Sequence, residues 1–142
     1  MASIKRSVTI QAPVEKVFAY VTDPMSLPEW MVGIMEVSDV SGSGTDLHFH
    51  WKYRMAGVPL KGETQFSEYV PNERSVSAST GGIPSTFRWT YTPEAGATRL
   101  DLDLEYTVPV PVLGKLAENL VLKRNEREAD LWMQNIKESL EQ

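Results

Sequence analysis

The sequence predicts a single α+β domain in which the strands and the helices are grouped rather than alternating. Seven short segments read as strands bounded by turn-forming residues, and two helical patterns stand apart from them, one after the first segment and one at the end. A nucleotide-binding α/β fold would instead alternate helices with strands. At 142 residues the chain has the length of one domain with a sizeable core or a cavity, and we expect residues 1–142 to form it.

Turn-forming residues bound the seven predicted strands. The first strand carries Ile4, Val8 and Ile10 on one side and polar residues on the other, and Ala12-Pro13 ends it. The stretches SGSGTD, MAGVP, VPNE, TGGIPS and PEAGAT divide the later strands. The predicted strands are Ile4–Ile10, Met35–Val40, Asp46–Met55, Leu60–Val70, Arg74–Ser79, Ser85–Thr92 and Thr98–Val108.

Two segments have helical periodicity. Residues 14–23 read VEKVFAYVTD, with apolar residues at helical spacing and Asp23-Pro24 as a stop. The turn-like MSLPEW follows, so we expect one or two short helices after the first strand. A longer helix is predicted from about Lys115 to Glu141. Its apolar stripe consists of Leu122, Ala129, Trp132, Met133, Ile136 and Leu140. One long helix of this kind can cover one face of a sheet that curls around it.

Toward its N-terminus, the apolar stripe of the long helix becomes polar, running through Glu118, Asn125 and Glu126. A helix that passes over a cavity would show this change, and so would a helix that is broken or rotated near its start. Four leucines fall nearly opposite the stripe, and they allow a third function, a protein-interaction surface: Leu113, Leu116, Leu120 and Leu131.

The segment DLHFHWKYRM, residues 46–55, holds both histidines of the chain. Successive side chains of a strand point to opposite faces, so Phe49, Trp51 and Tyr53 share one face while His48 and His50 lie on the other. The strands at residues 85–92 and 98–108 repeat this division into an aromatic or apolar face and a charged face. The pattern predicts an antiparallel sheet with one dry side and the histidines on the wet side.

The aromatic residues of the dry side have two interpretations. They pack under the long helix as an ordinary core, or they line an internal pocket of the kind that binds small molecules. For the strand Leu60–Val70, the pattern does not decide which side chains point inward. One alternative is the set Glu63, Gln65, Ser67 and Tyr69, and the other is Thr64 and Phe66. A bulge can also switch the parity midway.

Composition excludes several classes of site. The chain has no cysteine, so it has no disulfide framework, thiolate zinc site or cysteine nucleophile. A net charge of -5 argues against a nucleic-acid partner. The N-terminus lacks the apolar core of a signal peptide and no apolar run is long enough to span a membrane, so we expect a cytoplasmic protein without integral membrane contact.

A metal site is weighed at Asp46, His48 and His50, which share one strand face. A third histidine is lacking, and the cations Lys52 and Arg54 continue the same face, so we expect no metal and no other cofactor. No Gly-x-Ser-x-Gly nucleophile motif occurs either. A buried glutamate would have a raised pKa suited to proton transfer, and the candidates are Glu63, Glu118 and Glu126.

The opening IQAPVEKVFAYVTDPMSLPEW resembles the start of the SRPBCC superfamily, which includes START-type lipid-transfer, birch-pollen-allergen and polyketide cyclase/dehydrase proteins. The matching features are Ala12-Pro13, Phe18, Asp23-Pro24 and Pro28-x-Trp30. The step Asn135-Ile136-Lys137 near the end resembles the polyketide cyclase/dehydrase and lipid-transport branch. The resemblance spans the whole chain. It implies a helix-grip fold, with about seven antiparallel strands wrapped around the C-terminal helix and a cavity between them.

The resemblance also implies ligand classes, namely lipids, polyketides, sterols, quinones and other hydrophobic or aromatic molecules. In aromatase/cyclase members, tryptophans and a few polar cavity groups orient a polyketide, and Trp30, Trp89 and Ser67 match such positions. Tyr69 stands where those cyclases place a functional arginine. This departs from the family pattern, because a tyrosine supplies no permanent cation to an enolate.

Two functions from different classes follow. The first is a carrier, sensor or sequestering protein for a hydrophobic or aromatic small molecule; the second is a polyketide cyclase/dehydratase-like enzyme that uses the same cavity, with Tyr69, Glu63 or Glu118 as the acid or base. Both monomer and homodimer remain open. The predicted cavity residues are Trp30, Phe49, Trp51, Tyr53, Gln65, Ser67, Tyr69, Phe87, Trp89, Tyr91, Leu102, Leu122, Asn125 and Met133.

Overall fold

Seven antiparallel strands form one curved sheet in the order β1-β7-β6-β5-β4-β3-β2, and a long helix lies against its inner face. The computed structural model describes residues 1–114 and 116–142. The strands are β1 Ala2–Ile10, β2 Ile34–Ser41, β3 His48–Met55, β4 Val58–Val70, β5 Arg74–Gly81, β6 Ser85–Glu94 and β7 Ala97–Tyr106. The helices are α1 Val14–Thr22, α2 Leu27–Trp30, α3 Val110–Leu113 and α4 Glu118–Leu140. This confirms the predicted α+β class and helix-grip arrangement.

Most predicted element bounds differ from the observed ones by one or two residues. Strand β3 begins two residues later than predicted, at His48, because Gly44–Asp46 forms a 3₁₀ turn. The predicted start of the long helix, Lys115, lies outside the described residues. The observed α4 begins at Glu118, after the predicted start, and continues without a break to Leu140.

The sheet faces follow the predicted alternation in β3. Phe49, Trp51, Tyr53 and Met55 are buried on the inner face, whereas His50 is exposed on the outer face. Strand β7 behaves in the same way, with Leu100, Leu102, Leu104 and Tyr106 buried. The inner face of β3 and β7 is therefore apolar and aromatic, and it packs against α4 because burial of apolar area is the main favourable term in folding.

The step Asn135-Ile136-Lys137 fixes α4 over the sheet. The Asn135 amide donates to the carbonyl of Trp30 at 3.2 Å, the Ile136 side chain is fully buried, and the Lys137 ammonium donates to the carbonyl of Thr9 at 2.7 Å. The two hydrogen bonds join α4 to α2 and to β1. The short motif therefore has a structural role in holding the helix in place.

Of the leucines opposite the main stripe, Leu113, Leu120 and Leu131 are exposed and Leu116 is partly buried against the core.

Within residues 1–114 and 116–142, no helix has the length and apolar character needed to cross a bilayer.

Candidate functional site

A cavity lies between the inner face of the sheet and the helices α1, α2 and α4. Side chains from all seven strands contribute to its lining. The space open to the centres of water molecules is about 110 Å³, which corresponds to roughly seven to eleven waters at about 10–15 Å³ each. The cavity is thus large enough for a small organic ligand.

Tryptophans form one end of the cavity. The Trp30 ring meets Trp89 edge-on at a centroid distance of 5.9 Å and Trp132 at 6.3 Å, and Phe87 stacks on Trp132 at 6.2 Å. The Trp30 indole N–H donates to the hydroxyl of Ser26 at 3.0 Å, and this bond fixes the orientation of the ring. Edge-to-face aromatic packing adds to the stabilisation from burial, so this wall is rigid.

Hydroxyl groups line the wall formed by β4 and β5. The Trp51 indole N–H donates to the Thr64 hydroxyl at 3.0 Å, and that hydroxyl bonds in turn to Ser79. Ser75, Ser77 and Ser79 alternate along β5 with their side chains buried on the inner face. Serine is small, so this strand leaves open space where larger apolar side chains would fill the cavity.

The long helix contributes a polar group to the cavity. The Asn125 side chain is buried, lines the cavity and donates from its amide to the Tyr106 hydroxyl at 2.9 Å. The Met55 sulfur lies 3.7 Å from the same nitrogen. As predicted, the apolar stripe of α4 therefore carries a buried polar residue where the helix crosses the cavity, whereas Glu118 and Glu126 are exposed.

One tyrosine of the cavity wall is hydrogen-bonded to a carboxylate of α4. The Tyr53 hydroxyl donates to Glu128 Oε2 at 3.0 Å, and the Tyr53 ring lines the cavity. Burial raises the pKa of the Glu128 carboxyl, and this effect outweighs the lowering by the Tyr53 hydrogen bond and by Arg124. Burial, together with the nearby Glu128 charge, raises the pKa of Tyr53 as well. The pair is therefore a place where a proton can be held at the cavity wall.

Seven of the predicted cavity residues line the cavity: Trp30, Phe49, Trp51, Tyr53, Phe87, Trp89 and Asn125. Five others are in or against the core but outside this lining: Tyr69, Tyr91, Leu102, Leu122 and Met133. Tyr69 and Tyr91 both pack edge-on against Phe18, at centroid distances of 5.1 and 4.9 Å.

The structure corrects two predicted cavity positions on β4. Thr64 and Phe66 are buried on the inner face, so Gln65 and Ser67 point outward and are exposed. A register shift in the β4–β5 pairing between Phe66 and Glu68 then changes the parity of the strand. After it, Tyr69 turns inward and packs edge-on against Phe66 at 5.8 Å. Of the alternatives considered for this strand, the observed one is a bulge that switches the parity midway.

The glutamates weighed as acid or base lie outside the cavity. Glu63 is on the outer face of the sheet, 3.3 Å from His50 Nε2, and Glu118 is exposed at the start of α4. These positions follow from the parity of β4 and from the helical rotation of α4. Asp39 lies 3.1 Å from the other His50 ring nitrogen. No group of three potential metal-ligating side chains is found in the described part of the chain.

Sequence reasoning missed several polar residues near the cavity. The alternation of serine in RSVSAST, residues 74–80, signals small inward side chains, because it has the same period as the neighbouring strands. Tyr106 continues the inward face of β7. Glu128 carries no such signal, since its role depends on the distance between α4 and β3.

The family model for polyketide cyclase/dehydrase and lipid transport proteins matches residues 1–141. The chain belongs to this family. A search of curated protein sequences gives no match. Family membership therefore comes from the family model. This assignment does not say which ligand the cavity binds.

Solved structures with the same fold match almost the whole chain. TTHA0849 from Thermus thermophilus is 21% identical, with a TM-score of 0.83, 98% of this chain and 97% of that chain covered. The Zhui aromatase/cyclase from Streptomyces sp. R1128 is 15% identical, with a TM-score of 0.79, and the match covers 99% of this chain and 93% of that chain. A START superfamily protein from Mycobacterium smegmatis is 16% identical, with a TM-score of 0.79, and the match covers 98% of this chain and 97% of that chain. At these identities the likeness shows the shared fold.

Proposed function

We propose that this protein binds a small hydrophobic or aromatic molecule in the cavity and acts as a carrier, sensor or sequestering protein. The observation that carries the proposal is the wall of Trp30, Trp89, Trp132 and Phe87, which is preorganised around open space. Aromatic walls with a few placed polar groups are typical of small-molecule sites. Family membership supports the same class of function, because the family includes lipid transport proteins.

Native mass spectrometry of protein purified from its source tests this proposal. We expect a mass increment from a bound organic molecule that is released on denaturation. The affinity for that molecule, or for hydrophobic fluorescent probes, should fall in Trp89→Ala, since Trp89 lies in the cavity wall. Leu131→Ala is the matched control, because Leu131 is half exposed on α4 and lies outside the lining. Equal affinities in both variants and in the wild type would show that the cavity is not the binding site.

A second candidate is a cyclase or dehydratase-like reaction in the same cavity. The Tyr53–Glu128 pair favours it, because the Tyr53 oxygen can accept a proton from a ligand carbon or hydroxyl while its own proton passes to Glu128. In a dehydration, Glu128 returns its proton to the Tyr53 oxygen, and Tyr53 passes a proton to the departing hydroxide; the C–H and C–O bonds of the ligand break, a C=C bond forms and water leaves. Tyr53 thereby takes the role that the sequence suggested for Tyr69.

Comparing binding with turnover separates the two candidates. Tyr53→Phe keeps the ring in the cavity wall and removes only the hydroxyl, so a carrier retains its affinity for the ligand. An enzyme that uses this hydroxyl retains the affinity and loses turnover. Tyr69→Phe serves as the control, since Tyr69 packs between Phe18 and Phe66 outside the cavity lining.

A further inference from the structure

We propose that the cavity selects an uncharged ligand of two or three rings, and that Ser77 and the indole N–H of Trp89 hold a carbonyl or hydroxyl oxygen of that ligand. The inference rests on the proposed function, namely that the cavity binds a small molecule, and adds the chemistry of the molecule. Three features of the lining carry it: its charge, its unengaged hydrogen-bonding groups and its volume.

The lining has almost no charge. Within the described part of the chain, no lysine, arginine or histidine lines the cavity, and Asp23 is its one acidic residue. Asp23 is exposed, and its carboxylate accepts a hydrogen bond from the backbone N–H of Met25 at 2.9 Å. A ligand carboxylate would lose its hydration without gaining a cationic partner, and an unpaired buried ion costs far more than a hydrogen bond returns.

A cationic ligand meets a similar difficulty. The aromatic faces of the cavity attract a cation, but this attraction is modest compared with the hydration that the cation loses. The Glu128 carboxylate at the cavity edge already accepts the hydrogen bond of Tyr53. The lining therefore favours a ligand without formal charge.

Ser77 supplies an unengaged hydroxyl within this apolar surrounding. Its neighbours on the inner face of β5 are occupied, because Ser75 bonds to the Tyr91 hydroxyl at 2.9 Å and Ser79 bonds to Thr64. Ser77 is 8% exposed, lines the cavity and makes no side-chain hydrogen bond to any described residue. No fully buried side-chain nitrogen or oxygen in the described chain lacks a partner, so the Ser77 hydroxyl reaches the open space of the cavity, where a ligand oxygen can bond to it.

Trp89 supplies a second unengaged donor. The other three indole N–H groups of the chain donate within the protein: Trp30 to Ser26 at 3.0 Å, Trp51 to Thr64 at 3.0 Å and Trp132 to the Val32 carbonyl at 3.1 Å. The Trp89 indole makes no such bond within the described chain. No fully buried side-chain nitrogen or oxygen there lacks a partner, so this N–H reaches accessible space, and the space that Trp89 lines is the cavity.

The two groups lie on the same wall. Ser75 pairs with Trp89 and Ser77 pairs with Phe87 across the β5–β6 ladder, so Ser77 and Trp89 are diagonal neighbours. Diagonal neighbours on one sheet face are about 7–8 Å apart at the backbone, and both side chains extend from it toward the cavity, so a ligand oxygen that lies between the two polar groups can contact both. The open volume of about 110 Å³ corresponds to on the order of 200–300 Å³ of liquid water. This is the size of two or three rings.

A matched series of naphthalene derivatives tests the inference. Dissociation constants of the full chain for methyl naphthyl ketone, naphthoate and naphthylmethylammonium are measured by calorimetry at a pH of about 7, well above the pKa of the acid and well below that of the amine. We expect the ketone to bind at least about tenfold more tightly than either ion. An ion that binds as tightly as the ketone overturns the selection for an uncharged ligand and leaves cavity binding standing.

Variants test the polar anchor. Ser77→Ala should weaken ketone binding by about three- to tenfold, the effect of one hydrogen bond, and leave the binding of unsubstituted naphthalene unchanged. Ser67→Ala is the control, since Ser67 is an exposed serine on the neighbouring strand β4, and it should change neither. An equal loss for ketone and naphthalene in Ser77→Ala overturns the anchor.

The indole N–H proton resonances report on Trp89 directly. Ketone binding should shift the Trp89 signal downfield relative to naphthalene binding, because only the ketone offers an acceptor. The signal is assigned by its absence in Trp89→Phe. An identical Trp89 shift with both probes overturns the role of this N–H. Failure of both ketone and naphthalene to bind the wild type would overturn the proposed function together with this inference.

Discussion

The hydroxyl of Tyr53 donates a hydrogen bond of 3.0 Å to the carboxylate of Glu128, and this bond joins the inner face of β3 to α4 at the edge of the cavity. Glu128 is half-buried, and its burial outweighs the favourable bond, so the pKa of its carboxyl is raised. The folded protein therefore holds the protonated form of Glu128 more readily than the unfolded chain does. This difference has a consequence for stability.

The stability of the protein should fall as the pH rises from the ordinary carboxyl pKa of 4.5 through the raised pKa of Glu128. In this window the native state binds more protons at Glu128 than the unfolded state, so raising the pH favours unfolding. Glu128→Gln removes this titration and keeps an acceptor for Tyr53. We therefore expect the unfolding free energy of Glu128→Gln, relative to the wild type, to increase with pH across the window in urea titrations. Parallel pH profiles would contradict the assignment.

The position of Tyr53 depends on Gly33. A Cβ at Gly33 would lie 2.5 Å from Tyr53 Cζ and 2.8 Å from its hydroxyl oxygen, and the backbone there has a φ of +102°. We expect Gly33→Ala to cost roughly 2–4 kcal/mol of unfolding free energy, the sum of backbone strain and displacement of the ring. Gly57→Ala is the control, since Gly57 has a φ of +83° and open space around its Cβ. It should cost only the strain, about 1 kcal/mol, and equal losses in urea denaturation would contradict a role for the contact.

Part of this site is visible in the sequence because the strand period alone determines it. The alternation in DLHFHWKYRM predicts that Phe49, Trp51 and Tyr53 point inward, since a half-buried strand must alternate. The helical period in the same way placed Trp132 in the apolar stripe of α4 and Asn125 as a polar residue within it. Such predictions succeed where a single regular element decides the direction of a side chain.

Other parts depend on relations between elements that a sequence does not display. The direction of Gln65, Ser67 and Tyr69 follows from a register shift between β4 and β5, which is a property of the pair of strands. Glu128 becomes part of the site only because α4 approaches β3 closely, and the absence of a side chain at Gly33 permits the Tyr53 position. Packing distances of this kind follow from the whole fold.

The hydroxyl of Thr64 should stabilise the cavity wall. It accepts the Trp51 indole N–H at 3.0 Å and bonds to Ser79, and both bonds are buried. Thr64→Val keeps the shape and leaves the two partners unsatisfied, so we expect a loss of about 1–3 kcal/mol in unfolding free energy. Thr90→Val is the control on the exposed face of β6 and should change the unfolding free energy by less than about 0.5 kcal/mol. A comparable change in both variants would show that the bonds contribute nothing net.

The buried pair of Asn125 and Tyr106 should behave as one unit in a double-mutant cycle. The Asn125 amide donates to the Tyr106 hydroxyl at 2.9 Å in a cavity that is otherwise mostly apolar. Either single variant, Asn125→Leu or Tyr106→Phe, leaves a polar group without its partner, and we expect a cost of about 1–3 kcal/mol for each.

The double variant replaces both groups by apolar ones, so its cost should be smaller than the sum of the two single costs by about 1 kcal/mol or more. Chemical denaturation of the four proteins measures this coupling. The same variants also change the cavity, because the leucine removes the polar group that α4 presents to a ligand. Additive costs within about 0.5 kcal/mol would contradict the coupling and show that this bond contributes nothing net to stability.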